Sequence, residues 1–261
     1  MTRFFDRGWG VFPPEPVVRE WALHALKYAR RAVAAPENSH LLQCDGTWFV
    51  GLDALENDAV GRVGDSPPLA GRAVDFVTRH YGGWPALHRA QISVTYPGYP
   101  RAREGESAAA FRYRVDRDAA HVDGIIGLGT PKRRFVKEPH AFVLGLPLSQ
   151  ADVGAAPLVV WEGSHKIIQA AMQRAFEGYA EADPSDVDVT EIYQNARREA
   201  FERCARVQVH GEPGSAYLIH RLALHGVAPW AAGAAASADG RMIAYFRPEL
   251  AGGVAQWAHL P

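Results

Sequence analysis

The sequence predicts a mainly β protein with helical additions, built as one antiparallel β core with helices packed on its outside. Three observations lead there. Short apolar and β-branched runs, bounded by Pro and Gly turn signals, recur from residue 90 onward. Helix-period segments interrupt them between residues 165 and 205. Further helical stretches lead the chain before residue 90. The expected organisation is a single domain over residues 1–261, with a helical part (1–89), a β core (90–250) and a helical insertion (165–205).

Taken in order, "MTRFFDRGWGVFPP" lacks the long apolar core of a signal peptide. Pro13, Pro14 and Pro16 open a helix over roughly 15–34, with Val18, Trp21, Leu23, Leu26 and Val33 available for its apolar face. "CDGTWFVGLDALEND" mixes aromatic and amide groups; Trp48 and Asn57 are candidates to line a substrate pocket, with packing and loop roles the preferred reading. A second helix runs from about Pro68 to Tyr81, stopped by Gly82 and Gly83. "QISVTYPGYP" is a strand ending in Pro-Gly, with Tyr96 and Tyr99 facing opposite ways. "FRYRV" alternates by type and reads as a strand with Arg112 and Arg114 on a solvated face. "AFVLGLPL" and "APLVVW" are short apolar strands. Two helices follow, "HKIIQAAMQRAFEGYA" and "DVTEIYQNARREAFERC", the second capped by Asp188 or Thr190. The tail returns to β with "RVQVH", "SAYLIH", "LALHGV" and "RMIAYFRP", and "AAGAAASADG" (231–240) reads as a flexible loop.

Composition excludes some classes. Hydrophobic residues are 48% and charged residues 22%, ordinary globular chemistry. A net charge of -1 offers no basic field for nucleic acid or an anionic membrane, which leaves a small molecule as the expected partner. No window approaches a membrane span. Cys44 and Cys204 fit no zinc spacing and read as free thiols of a cytoplasmic, reducing compartment. The 11 histidines hint at metal or proton chemistry without locating it.

"DRDAAHVDGIIGLG" supplies a location. His121 and Asp123 flank one valine, but random order would give roughly 0.6 such matches, so the pair needs a second half. "YLIHRLALHGVAPW" offers His220 and His225. Five apart on one continuous strand, they would face opposite sides, so only one could enter a barrel. Two His and one carboxylate suit an iron site that keeps positions open for substrate and oxygen. A rival pair, His210 and Glu212, runs into a Pro-Gly turn and leaves no room for intervening strands. In "RMIAYFRPE", Arg241, Ile243, Tyr245 and Arg247 share one face. An arginine pointing inward needs an anion, either an internal carboxylate or a bound one.

The order His-x-Asp, "WEGSHK", "LALHG" and then Arg resembles the phytanoyl-CoA dioxygenase family of iron(II)- and 2-oxoglutarate-dependent oxygenases, over roughly residues 90–250. "VVWEGSHK" is similar to that family's Pro-Gly-Ser-His segment, with Glu162 at the proline's place. The resemblance implies a double-stranded β-helix (jelly-roll, cupin-like) core flanked by α-helices. It implies Fe(II) held by His121, Asp123 and His225, and Arg241 on the distal carboxylate of 2-oxoglutarate. The 16 residues from His225 to Arg241 exceed the expected spacing and keep Arg247 as the alternate anchor. The implied reaction uses O2 to hydroxylate a small organic metabolite with release of succinate and CO2. Asp123 favours that outcome, since related halogenases lack the carboxylate. The other reading is a non-catalytic metal-binding barrel, a sensor or binding protein with the same ligands; an interior Arg would favour the enzyme. His140 and His165 read as structural or supporting residues.

Overall fold

In the computed structural model, which describes residues 3–177 and 183–260, the strands are β1 (Trp9–Phe12), β2 (Leu42–Gln43), β3 (Trp48–Gly51), β4 (Gln91–Thr95), β5 (Ile125–Leu128), β6 (Arg133–Val136), β7 (Phe142–Pro147), β8 (Leu158–Trp161), β9 (Arg206–Val209), β10 (Ala216–His220), β11 (His225–Val227) and β12 (Arg241–Phe246). The helices are α1 (Phe4–Arg7), α2 (Pro16–Ala34), α3 (Arg72–His80), α4 (Ala108–Asp116), α5 (Ser164–Phe176), α6 (Thr190–Arg203) and α7 (Gly253–Trp257). A large antiparallel sheet runs β1-β10-β7-β12-β4-β3-β2, a smaller one β11-β8-β9, and β5 and β6 form a separate hairpin.

The two main sheets close on each other as a double-stranded β-helix. Val143, Tyr217, Ile219 and Ile243 of the large sheet meet Leu158, Val160 and Val209 of the small one. Their alternate neighbours face outward. Phe142, Leu144, Leu218, Ala244 and Phe246 pack against Val18, Trp21 and Ala25 of α2 and Phe76 and Val77 of α3. Behind the small sheet, Val159 and Trp161 meet Ile168 and Met172 of α5 and Tyr193 and Ala196 of α6. Strands covered on both faces need apolar residues at every position, which is why "FVLGLP" and "LVVW" do not alternate. Each large side chain buried this way contributes roughly 1.5–3 kcal/mol.

Several expectations change. Strands β1, β2 and β3 come from the first 51 residues and join the large sheet, so the β core begins well before residue 90. They are two to four residues long, too short to carry a periodic signal, and β1 and β3 join the sheet through the distant strands β10 and β4. "FRYRV" lies in helix α4, whose start is capped by the Ser107 side chain accepting from Ala110 N–H. Three alanines behind that cap outweigh the alternation. The second helix starts at Arg72, four residues past Pro68, and Leu23 is 65% exposed instead of joining the apolar face of α2. At α6 the Asp188 carboxylate does accept the Thr190 N–H. The expected helix beyond Glu177 falls on residues 178–180, outside the described ones. No helix among the described residues is long and apolar enough to cross a membrane.

The loop over 231–240 is fastened, contrary to its composition. Asp239 accepts two hydrogen bonds of 2.7 Å from Arg30, Ala236 bridges Ala151, and Trp230 donates to Ala234 O. Small side chains hide these ties from a compositional reading. Arg30→Ala is expected to cost no more than about 1 kcal/mol, as half-exposed ion pairs do, while making this loop the first site of limited proteolysis. An unchanged cleavage pattern would show that the pair does not restrain the loop.

Candidate metal centre

β11 is three residues long, and its first residue makes a second pairing outside the small sheet. His121 N–H donates to His225 O at 2.8 Å, and His225 N–H donates to His121 O at 3.0 Å. Such an exchange holds two antiparallel Cα atoms about 5.5 Å apart with their side chains on one face. The imidazole centroids are accordingly 4.9 Å apart. The approach needs Gly226, because a Cβ there would lie 2.1 Å from Asp118 O. That carbonyl accepts the Val227 N–H, and the buried Asp118 carboxylate takes two hydrogen bonds from Arg206 at 2.8 and 2.7 Å. From the other side, Ser164 Oγ accepts the Leu224 N–H, so "WEGSHK" braces the residue before His225. Glu162, in the proline's place, is used locally by Arg7 and Trp9.

His220 and His225 do not share one strand. The chain crosses from the large sheet to the small one between them, with a turn at Ala223 N–H to His220 O. His220 faces the outer layer, ring to ring with His165 at 4.8 Å, while His225 faces the barrel mouth.

Both site histidines are held by a carbonyl two residues earlier. His121 Nδ1 lies 3.0 Å from Ala119 O, and His225 Nδ1 lies 2.9 Å from Ala223 O. A carbonyl only accepts, so each Nδ1 carries a proton, and Nε2 is the atom each ring offers a metal once it gives up any proton shared with Asp123. Both Nε2 atoms face Asp123, at 3.1 Å from Oδ1 for His121 and 3.7 Å from Oδ2 for His225. One ligand atom from each of the three lies within 4.8 Å of the others. Burial alone would raise the Asp123 pKa, but the facing imidazoles hold it well below the usual carboxylate range. Desolvation pulls His121 down, and the Asp123 hydrogen bond more than reverses it. An ionised carboxylate between two Nε2 atoms calls for a cation there, and two imidazoles plus one carboxylate fit a divalent transition metal.

The two arginines sit differently. Arg247 is at the mouth, with Nη1 3.5 Å from Asp123 Oδ2 and Nη2 donating to Gln91 Oε1 at 2.6 Å. Arg241 is inside the barrel and 6% exposed. Its Nη1 has no hydrogen-bond partner, and no carboxylate among the described residues forms an ion pair with it. Burial opposes its charge, and the phenol oxygens of Tyr217 and Tyr245 around it more than offset that, raising its pKa. The two hydroxyls are 3.1 Å apart.

A cavity of about 200 Å³ opens at the cluster, lined by His121, Asp123, His225, Ser93, Tyr245 and Arg247; Arg241 is not among its lining residues, although Tyr245 beside it is. Trp48, for which the sequence favours packing over a place in the pocket, lines it and donates to Ser93 Oγ at 3.0 Å. Asn57 remains a loop residue, accepting from Ala90 N–H. Tyr99 is buried edge-on against Trp48, and Tyr96 packs on the outer core. On α4, Arg114 pairs with Glu106 at 2.5 Å, away from any solvated strand face. His210 is not among the residues lining the cavity. Tyr217, Ser93 and Gln91 went unassigned in the sequence, although their alternate positions on β4 and β10 mark one inward face.

Gly226→Ala is expected to push the Asp118–His121 segment off β11. Metal affinity measured by calorimetry should fall at least tenfold, about 1.4 kcal/mol, with the far-ultraviolet dichroism unchanged. Unaltered affinity would mean that the two segments do not need this approach.

No family model matches the chain, and no curated protein matches it. Solved structures do. The non-heme alpha ketoglutarate dependent epimerase SnoN from nogalamycin biosynthesis is 15% identical, over 100% of this chain and 87% of its own, with a TM-score of 0.50. SnoN in complex with Fe3+, alpha ketoglutarate and nogalamycin RO gives 15% identity, 100% and 88% coverage, and a TM-score of 0.51. EctD from S. alaskensis with bound Fe is 16% identical, over 95% of this chain and 75% of its own, with a TM-score of 0.47. At these identities the likeness is one of fold, and the fold is the double-stranded β-helix that SnoN also has.

Proposed function

We propose that this protein is an Fe(II)- and 2-oxoglutarate-dependent oxygenase that hydroxylates a small organic metabolite and releases succinate and CO2. The observation that carries this reading is the pairing of two features in one barrel. Two histidines and a carboxylate converge at the mouth, and a buried arginine without a carboxylate partner waits inside. SnoN, of the same fold, is described in complex with Fe3+ and alpha ketoglutarate. The order of motifs supports kinship with the phytanoyl-CoA dioxygenase family. Two free cysteines suit the cytoplasm.

His121, Asp123 and His225 would hold the iron through Nε2, a carboxylate oxygen and Nε2. Bound there, Fe(II) supplies the oxidative decarboxylation of 2-oxoglutarate by O2, one oxygen atom going to succinate and one to the substrate. The protein's part is orientation and charge. The Ala119 and Ala223 carbonyls keep both imidazoles in one tautomer. Arg247 lies against the Asp123 oxygen that faces His225, leaving the other oxygen toward His121. Deep in the barrel, Arg241 with Tyr217 and Tyr245 receives the far carboxylate of the co-substrate through a planar, bidentate fork. Arg247 does not suit that role, because it stands at the mouth against the metal ligand Asp123, too near the iron for the far end of a five-carbon diacid.

A pure metal-binding barrel has no use for an orphaned interior guanidinium, so Arg241 favours the enzyme. Removing one charge-assisted bond costs about 1.5–3 kcal/mol. Arg241→Lys is therefore expected to weaken 2-oxoglutarate binding roughly 10- to 150-fold in calorimetry on Mn(II)-loaded protein, with Mn(II) affinity retained. If 2-oxoglutarate binds the variant as tightly as it binds the native protein, Arg241 is not the anchor.

A further inference from the structure

Two cavities meet at the metal cluster. The inner one is lined by Tyr245, whose hydroxyl neighbours Arg241, and under the reading above it belongs to the co-substrate. The outer one is a groove of about 710 Å³ along Asp53, His88, Glu138, His140 and Glu249. Leu52, His121, Asp123 and Arg247 line both. A substrate that must reach the metal without displacing the co-substrate therefore enters from the groove.

The charges of the groove are divided. On the metal side stands Arg247, its side chain 18% exposed. Its Asp123 contact is long at 3.5 Å, and its Nε has no hydrogen-bond partner. His88 holds the Arg247 backbone in place, with Nε2 3.0 Å from the carbonyl oxygen and 3.3 Å from the amide nitrogen. Its ring is thereby committed to structure. Three carboxylates line the same groove. Asp53 lies 3.6 Å from His88, Glu138 lies 3.3 Å from His140 Nε2, and Glu249 forms no ion pair among the described residues.

His140 carries the second clue. It is 8% exposed, and its Nε2 faces the Glu138 carboxylate, so that nitrogen bears the proton. Nδ1 is then an acceptor, buried at the groove wall and without a partner. Burial holds the ring below its ordinary pKa and keeps it neutral. The corner is set against the metal motif itself. Gly124 O accepts the Lys137 and Glu138 N–H groups, and a Cβ on Gly124 would lie 1.9 Å from Glu138 O.

We propose that this groove is the primary-substrate site and that it takes a zwitterionic amino acid, its carboxylate on Arg247 and its ammonium group toward His140 Nδ1, Glu138 and Glu249. The proposal rests on the oxygenase reading and names its substrate class. A dianion would face three carboxylates. A simple cation would sit against Arg247. An apolar ligand would bury both sets of charges unpaired, which is costly. A molecule carrying both signs meets both kinds of charge in a groove that adjoins the metal cluster.

Protein loaded with Mn(II) and 2-oxoglutarate, which cannot turn over, is titrated calorimetrically with the standard amino acids, their amides and their N-acetyl derivatives. At least one free amino acid should bind, with its amide and N-acetyl forms roughly ten- to hundredfold weaker. Glu249→Gln should weaken that amino acid by a similar factor and leave 2-oxoglutarate affinity within about threefold. If 2-oxoglutarate binds but no free amino acid does, or the amides bind equally well, the substrate class is wrong and the oxygenase reading stands. If 2-oxoglutarate itself does not bind, both fall.

Discussion

Everything at this site depends on two backbone hydrogen bonds, the reciprocal pair between His121 and His225. They join the turn after α4 to the first residue of β11, segments far apart in the chain. Side chains on an exchanged antiparallel pair point the same way, so this one pairing puts both imidazoles at the barrel mouth. Its supports come from three directions: Gly226 permits the approach, Arg206 clamps Asp118, and Ser164 braces Leu224. The Gly-Ser-His segment and the glycine after His225 thus act on the metal centre without touching it.

The barrel interior carries a charge that works against folding. A guanidinium taken out of water with one N–H group orphaned is destabilising, even though two phenol oxygens beside it favour its charge. A repacked apolar interior would be more stable. The arrangement is reasonable if the working state brings its own carboxylate, so that the empty protein gives up stability for a ready binding site. The mouth follows the same logic with the opposite sign. The ionised Asp123 between two Nε2 atoms attracts a cation, while Arg247 supplies enough positive charge to keep it from being uncompensated.

Much of this was legible in the sequence because it is written in chemistry-bearing residue types. His-x-Asp, the later His-Gly and the inward alternation of Arg241, Ile243 and Tyr245 survive any detail of loop length. What could not be read depends on contacts between distant segments. β1 and β3 are four-residue strands recognisable only by their partners. "FRYRV" alternates like a strand, but Ser107 and three alanines start a helix. The loop at 231–240 is compositionally featureless, yet Asp239 finds Arg30 on α2. Arg241 and Arg247 share one face of one strand, and nothing local says that one is free inside the barrel while the other is engaged at its mouth.

The most direct measurement is the fate of isotopically labelled dioxygen. Purified protein is given Fe(II), 2-oxoglutarate and 18O2, and the succinate formed is examined by mass spectrometry. The account requires one 18O atom per succinate, no labelled succinate without Fe(II), and none from Asp123→Ala. A chain that binds one metal ion per molecule through this cluster, yet forms no labelled succinate, would contradict it and leave a metal-binding barrel in its place.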